Sequence, residues 1–187
     1  PRSLGNRSIL ADPSKIDMQK RLNLKIKNRE SFRPFAPSIL DDFKKDYFDL
    51  DFESPYMLIT RNIDNKYLVN QDLSLNKGLS EINNIRSTIP GVTHIDNSCR
   101  VQTVSKKRNE VFYNLLKTFH EKTGIPILIN TSFNVRGEPI VCSPEDALRC
   151  FSITEIDILV LERCILRKSE MPKNLSELLI KTIITDD

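Results

Sequence analysis

The chain has 187 residues, 39% of them apolar and 28% charged, with a formal net charge of +3. That length supports one domain with a substantial core, and the composition excludes collagen-like, coiled-coil and disordered classes. No apolar run approaches the ~20 residues that span a bilayer and no charged-then-apolar leader is evident, so a cytoplasmic globule is expected; Pro1 in place of Met reads as an excision from a longer chain.

In chain order, Ser14-Lys-Ile-Asp17 has capping-box character and predicts a short helix through Leu22. Lys25 to Ile39 reads as extended and turning, because Pro34 and Pro37 forbid a continuous helix. Tyr56 to Thr60 predicts a strand, and the polar stretch Asn65 to Asn84 a long surface excursion or lid. Val92 to Ile95 and Arg100 to Val104 predict a strand pair or one bent strand around Asp96-Asn97-Ser98.

Asn109 can cap a helix whose Phe112, Leu115, Leu116 and Phe119 follow the amphipathic stripe, with Gly124 as its stop. Pro126 to Ile129 predicts a buried strand. Ser143-Pro144-Glu145-Asp146 opens a second helix with a capping box and Pro at its first position, and Ala147, Leu148 and Phe151 carry its apolar side. Ile156 to Leu161 predicts another strand and Ser176 to Ile184 a terminal helix. Strands alternating with helices predict an α/β sheet, with antiparallel pairs expected between Tyr56 and Val104.

The cysteines Cys99, Cys142, Cys150 and Cys164 form no Cys-x-x-Cys pair and no dense disulfide pattern, which fits a reducing compartment. Cys142 and Cys164 lie in apolar contexts and are expected to be buried. With only His94 and His120 beside them, no structural zinc site is expected.

Two polar clusters carry the chemistry. Asn130-Thr131-Ser132-Phe133-Asn134-Val135-Arg136-Gly137-Glu138 follows the buried run directly, and ligands of open α/β sheets bind just beyond strand ends. Lys27-Asn28-Arg29-Glu30-Ser31-Phe32-Arg33-Pro34-Phe35-Ala36-Pro37-Ser38 supplies cations for an anion-binding wall. From Lys15 to Arg33 seven basic residues face only Asp17 and Glu30. A focused positive region on a nearly neutral chain points to a small polyanion rather than to long nucleic acid.

Pro1-Arg-Ser-Leu-Gly-Asn-Arg-Ser-Ile9, the Lys27 to Ser38 cluster, Thr93-His-Ile-Asp96 with Arg100-Val-Gln-Thr103, and Thr123 to Ile140 together resemble the C-terminal domain of NodU/CmcH-type carbamoyltransferases. The likeness runs to about Lys168. It implies a YrdC-like fold, a twisted mixed β-sheet flanked by helices with a concave basic face, over a single domain 1–187 in which 1–13 serve as a linker or lead-in. Lys27-x-Arg29 and Ser132-x-Asn134 are similar to the nucleotide-site pairs of the wider YrdC superfamily. The resemblance also implies formation of carbamoyl-adenylate from carbamoyl phosphate and ATP, followed by transfer to a hydroxyl or amine by a metal-holding N-terminal Kae1-like domain that is not seen here. One departure is Asn97, where the family commonly has Gly; Asn tolerates the left-handed conformation.

Acyl-adenylate formation needs alignment and charge stabilisation and no side-chain nucleophile. Lys27 is read as a mobile point charge for phosphate, and Arg33 and Arg100 as forks for two oxygens. Ser132 supplies a neutral hydrogen bond, and these four are the candidate catalytic residues. Arg2, Arg7, Arg29, His94, Asn130, Thr131, Asn134 and Arg136 are candidates for nucleotide or carbamoyl-phosphate binding. Magnesium is expected to arrive with ATP, held by phosphates and water and by no protein side chain. The alternatives are an RNA-binding YrdC-like module and a threonylcarbamoyl-adenylate synthase-like enzyme.

Overall fold

The computed structural model describes residues 3–69 and 84–172. Five strands, β1 (Ser8–Ala11), β2 (Ala36–Leu40), β3 (Ile59–Asn62), β4 (Ser98–Val104) and β5 (Ile127–Ser132), form one sheet in the order β1-β5-β2-β4-β3. The β2–β4 pair is parallel and the other three are antiparallel, so the sheet is mixed, as expected. A separate hairpin joins β6 (Ile158–Leu161) to β7 (Cys164–Arg167).

Strand alternation divides the core between the two faces of the sheet. Ile39, Val101, Ile127 and Ile129 belong to the larger cluster, which includes Leu22, Ile26, Ala147, Cys150 and Phe151. Leu40, Val104 and Leu128 point the other way and pack with Phe112 and Leu116. Helices α1 (Met18–Arg21) and α4 (Pro144–Ile153) thus contribute to one layer and α3 (Glu110–Thr123) covers the other, while α2 (Lys44–Phe48) adds Tyr47 and Phe48 to the larger core.

The strongest local signals locate their helices accurately. Asn109 Oδ1 accepts the Phe112 amide at 3.1 Å and Gly124 ends α3 with φ 77°. Ser143 and Asp146 close the capping box of α4. Within α3, Phe112 and Leu116 are buried, but Leu115 faces outward and is 49% exposed, because the sheet covers a narrower stripe than the apolar pattern spans.

Elsewhere tertiary contacts correct the reading. Ser14 does not cap a helix: its hydroxyl and amide both bond Asp12 Oδ1, an Asx turn that outcompetes the cap, and Asp17 stands at the N-cap position without a side-chain bond. The helix then continues beyond Leu22 as a π turn over Leu22–Ile26, so Lys25 and Ile26 are helical rather than extended. The strand expected at Tyr56 begins at Ile59, since Met57 adopts φ 55° and breaks the extended run. Val92 to Ile95 is not a strand: Val92 closes a 3-10 turn begun at Pro90, the His94 amide donates to Ser98 O, and Asn97, at φ 62°, takes the left-handed conformation its side chain tolerates. Cys142 and Cys164 are exposed, whereas Cys99 and Cys150 are buried, so neighbouring apolar residues misjudge those two thiols. Most of the proposed lid and the proposed terminal helix lie outside the described residues.

Before β1 the chain lies against α3 at one tight point. Gly5 has φ 109°, and a Cβ there would meet the Phe112 ring at 2.4 Å, so only glycine fits. That approach lets Leu4 O reach Gln102 across the end of the sheet.

Candidate functional site

The π turn sets up the site. The Lys27 amide bonds Leu22 O at 2.9 Å, and Asn28 follows in the left-handed region at φ 47°, turning the chain sharply after Lys27. Single π turns are frequent at functional positions. Lys27 is 5% exposed, and its ammonium donates to Asn134 Oδ1 at 2.8 Å, Asn134 O at 2.9 Å, Ser132 Oγ at 3.2 Å and Ser132 O. Lys27 is therefore not the mobile point charge expected; it holds the Ser132-x-Asn134 turn in place. Burial, aided by the charge of Arg29, lowers its pKa to about 8.

Two adjoining hollows open at this end of the sheet. The first, about 220 Å³, is lined by Lys27, Arg29, Arg33, Ser132, Asn134 and Arg136. The second, about 270 Å³, is lined by Arg29, Arg100, Asn130, Thr131 and Ser132 together with Ser3 and Leu4. Arg29 and Ser132 border both, so segments far apart in the chain meet here.

Asn23, fully buried, organises the cationic wall. Its carboxamide donates to Ser31 O at 2.9 Å and Arg33 O at 2.8 Å, and its oxygen accepts Arg29 Nε at 2.6 Å. Gln19 Nε2 adds bonds to Phe32 O and Arg33 O. The Arg29 guanidinium also lies over the Phe35 ring at 4.7 Å. With Nε engaged and one face on an aromatic ring, Arg29 keeps a fixed orientation and its two η nitrogens for a ligand. Arg33 pairs with Glu30 at 3.1 Å, and both side chains are half exposed, which makes the pair an exchangeable tether. A hydrogen bond from its own backbone amide, and after it the charges of Arg33, Arg136 and Arg29, hold the Glu30 carboxylate below the usual range.

Two candidates stand elsewhere. Arg7 Nη1 donates to Val141 O at 3.1 Å and Cys142 Sγ at 3.2 Å, tying the approach to β1 to the 141–142 segment, and it lines neither hollow. His94 lines a larger cavity of about 850 Å³ with Asp96, Phe32 and Arg86; burial lowers its pKa against the opposing pull of Asp96. Arg2 lies outside the described residues.

Asn23, Ser38 and Gln102 are structural contributors that sequence reasoning missed as site residues. A polar residue between apolar neighbours, as in Leu22-Asn-Leu24 and Val101-Gln-Thr-Val104, is the signal that could have found two of them.

Residues 1–168 match the model of the family described as carbamoyltransferase C-terminus. The chain belongs to that family. A protein of Synechocystis whose function is uncharacterized is 51% identical over 175 residues, covering 92% of this chain and 28% of its own length. Nodulation protein NolO of Bradyrhizobium diazoefficiens is 37% identical over 169 residues, with 90% and 28% covered. The 3'-hydroxymethylcephem-O-carbamoyltransferase of Amycolatopsis lactamdurans is 38% identical over 162 residues, with 86% and 27% covered. The chain thus spans about 28% of the length of these relatives. Among the described residues, no helix is long and apolar enough to cross a membrane.

Proposed function

We propose that this domain activates a carbamoyl group for a carbamoyltransferase, binding carbamoyl phosphate and ATP in the paired hollows and forming carbamoyl-adenylate. The observation that carries the reading is the convergence of Lys27, Arg29, Arg33 and Arg136 with the Ser132-x-Asn134 turn in one small hollow bordered by a second that holds Arg100. Family membership supports the transferase class, and the cephem relative's name supports carbamoyl as the group moved.

In this reading carbamoyl phosphate is hydrolysed to carbamate and inorganic phosphate. A carbamate oxygen then attacks the α-phosphorus of ATP, the α–β bridging bond breaks, and pyrophosphate leaves with the electron pair. The residues of this chain align the two anions and neutralise charge that builds on the phosphoryl oxygens. Arg33 and Arg136 bind the departing pyrophosphate, Arg29 spans both substrates, and Arg100 binds the carbamoyl donor. Ser132 and Asn134, held by Lys27, offer neutral hydrogen bonds to phosphoryl oxygens. Magnesium comes with ATP, held by phosphates and water. A further N-terminal domain of the same chain performs the transfer to a hydroxyl or amine.

Isotope exchange between pyrophosphate and ATP tests the proposal. Exchange that requires carbamoyl phosphate, and is unaffected by threonine with bicarbonate, is the expected result. Exchange that needs threonine and bicarbonate instead would establish the threonylcarbamoyl reaction, and tight RNA binding that collapses with salt would replace the enzyme by an RNA module.

A further inference from the structure

Beneath the second hollow lies a buried polar layer that the anion-binding reading does not use. Register places Ser38 beside Gln102 and Ala36 opposite Asn130, while the next residues along each strand on the same face, Leu40, Val104 and Leu128, belong to the apolar core under α3. Ser38, Gln102 and Asn130 are 0%, 4% and 1% exposed. They separate that core from the hollow.

The hydrogen bonds in this layer run in one direction. Gln102 Nε2 donates to Leu4 O at 3.2 Å, which turns Gln102 Oε1 inward. That oxygen accepts Ser38 Oγ at 2.5 Å and Asn130 Nδ2 at 2.9 Å, and Asn130 Nδ2 also donates to Ser38 Oγ at 3.0 Å. Both amide protons of Asn130 are therefore engaged. Turning its carboxamide over would set its oxygen against Gln102 Oε1, acceptor against acceptor. The fixed orientation leaves Asn130 Oδ1 buried with no donor, on a residue that lines the hollow with Arg29, Arg100 and Ser132. A buried acceptor without a partner carries a desolvation cost that a ligand N–H can remove.

We propose that Gln102 is a positioning residue that aims the Asn130 carboxamide oxygen at the amino group of the acyl phosphate, so that this hollow selects a carbamoyl over an acetyl group. The inference rests on carbamoyl phosphate as the substrate. At about 270 Å³ the hollow has room for a small acyl phosphate. Carbamoyl phosphate has one N–H₂ group and no other donor when ionised. Acetyl phosphate has the same number of heavy atoms and the same charge, with a methyl where that amino group stands. Sites built around a hydrogen bond reject analogues that leave their buried polar group unpaired far more strongly than apolar pockets reject a methylene.

The test is calorimetric titration of the protein with carbamoyl phosphate, acetyl phosphate and inorganic phosphate. Wild type is expected to bind carbamoyl phosphate about tenfold or more tighter than acetyl phosphate. Gln102→Met removes Oε1, frees the Ser38 hydroxyl to donate to Asn130, and so allows the carboxamide to turn over; the preference should fall to about threefold or less, with inorganic phosphate affinity and thermal midpoint retained. Ser38→Ala leaves Gln102 Oε1 in place and should keep the preference. Equal wild-type affinities for the two acyl phosphates, or a preference that survives Gln102→Met, would overturn the inference while leaving the substrate reading intact. Binding of neither acyl phosphate would remove the substrate reading and the inference together. Should Gln102→Met not fold, the wild-type ratio decides alone.

Discussion

Lys27 gives the site a pH response that an ordinary surface lysine lacks. Its pKa falls from 10.5 to about 8 through burial, reinforced by Arg29. ATP phosphates are already ionised between about pH 7 and pH 9, so in that window the ammonium is the titrating partner at the first hollow. About nine-tenths of Lys27 is protonated at about pH 7 and about one-tenth at about pH 9. If the charged form holds the Ser132-x-Asn134 turn for binding, ATP affinity should drop about tenfold between these pH values. Titration calorimetry at constant ionic strength reads this directly, and Lys27→Met should give weaker binding that is flat across the window. The unfolded chain holds the Lys27 proton up to about 10.5 and the folded protein only to about 8, so the burial penalty applies in full below about 8 and is relieved as pH rises between the two values. Relative to Lys27→Met, wild type should gain about 3 kcal/mol across that interval in chemical denaturation. A wild-type ATP affinity that stays level through about pH 9.5 would refute the reasoning, because the ammonium would then either remain charged or be irrelevant to binding.

Three further outcomes follow from the geometry. Arg33→Ala should weaken ATP about tenfold while leaving carbamoyl phosphate nearly unchanged, and Arg100→Ala should do the reverse, as separate titrations would show. Gly5→Ala forces a Cβ onto the Phe112 ring at a positive φ and should lower stability by about 2 kcal/mol in urea denaturation, loosening the contact of Leu4 with Gln102. Leu116→Ala, in the fully buried layer between α3 and the sheet, should cost about 2–5 kcal/mol by the same measurement with ATP affinity retained.

What the sequence disclosed depended on how local the signal was. The α3 and α4 helices were legible because their caps, stripes and stop residues lie within a few positions of one another. Strand β1 was not, because Ser8–Ala11 is short and gains its identity from pairing with β5, more than a hundred residues away. Pro37 also masked β2; it is tolerated there because the β4 ladder begins only at Ser38. In the site, Lys27 and Ser132 were legible as polar groups in two clusters, but the inward direction of the ammonium was not, since it depends on the π turn and on left-handed Asn28. Ser38 was hidden because a single polar residue in a strand reads as its solvent face until the covering helix is known.

The arrangement of cations bears on how such a site can work. Lys27, Arg29 and Arg33 are not equivalent charges pointing at one spot: the first is spent on protein oxygens, the second is fixed through Nε and a ring face, and the third is loosely tethered to an exposed carboxylate. Two of the three are thus oriented before any ligand arrives, which removes part of the ordering cost that mobile side chains would impose on binding. Arg33 is the member able to leave its partner and follow a moving group, since an exposed ion pair contributes little to stability. In the proposed reaction the group that moves away is pyrophosphate, in the hollow that Arg33 lines and the carbamoyl donor's hollow does not share with it. In that reaction Arg29, fixed and bordering both hollows, keeps the substrates aligned, while Arg33 is free to follow the group that leaves, a division of labour suited to an in-line displacement.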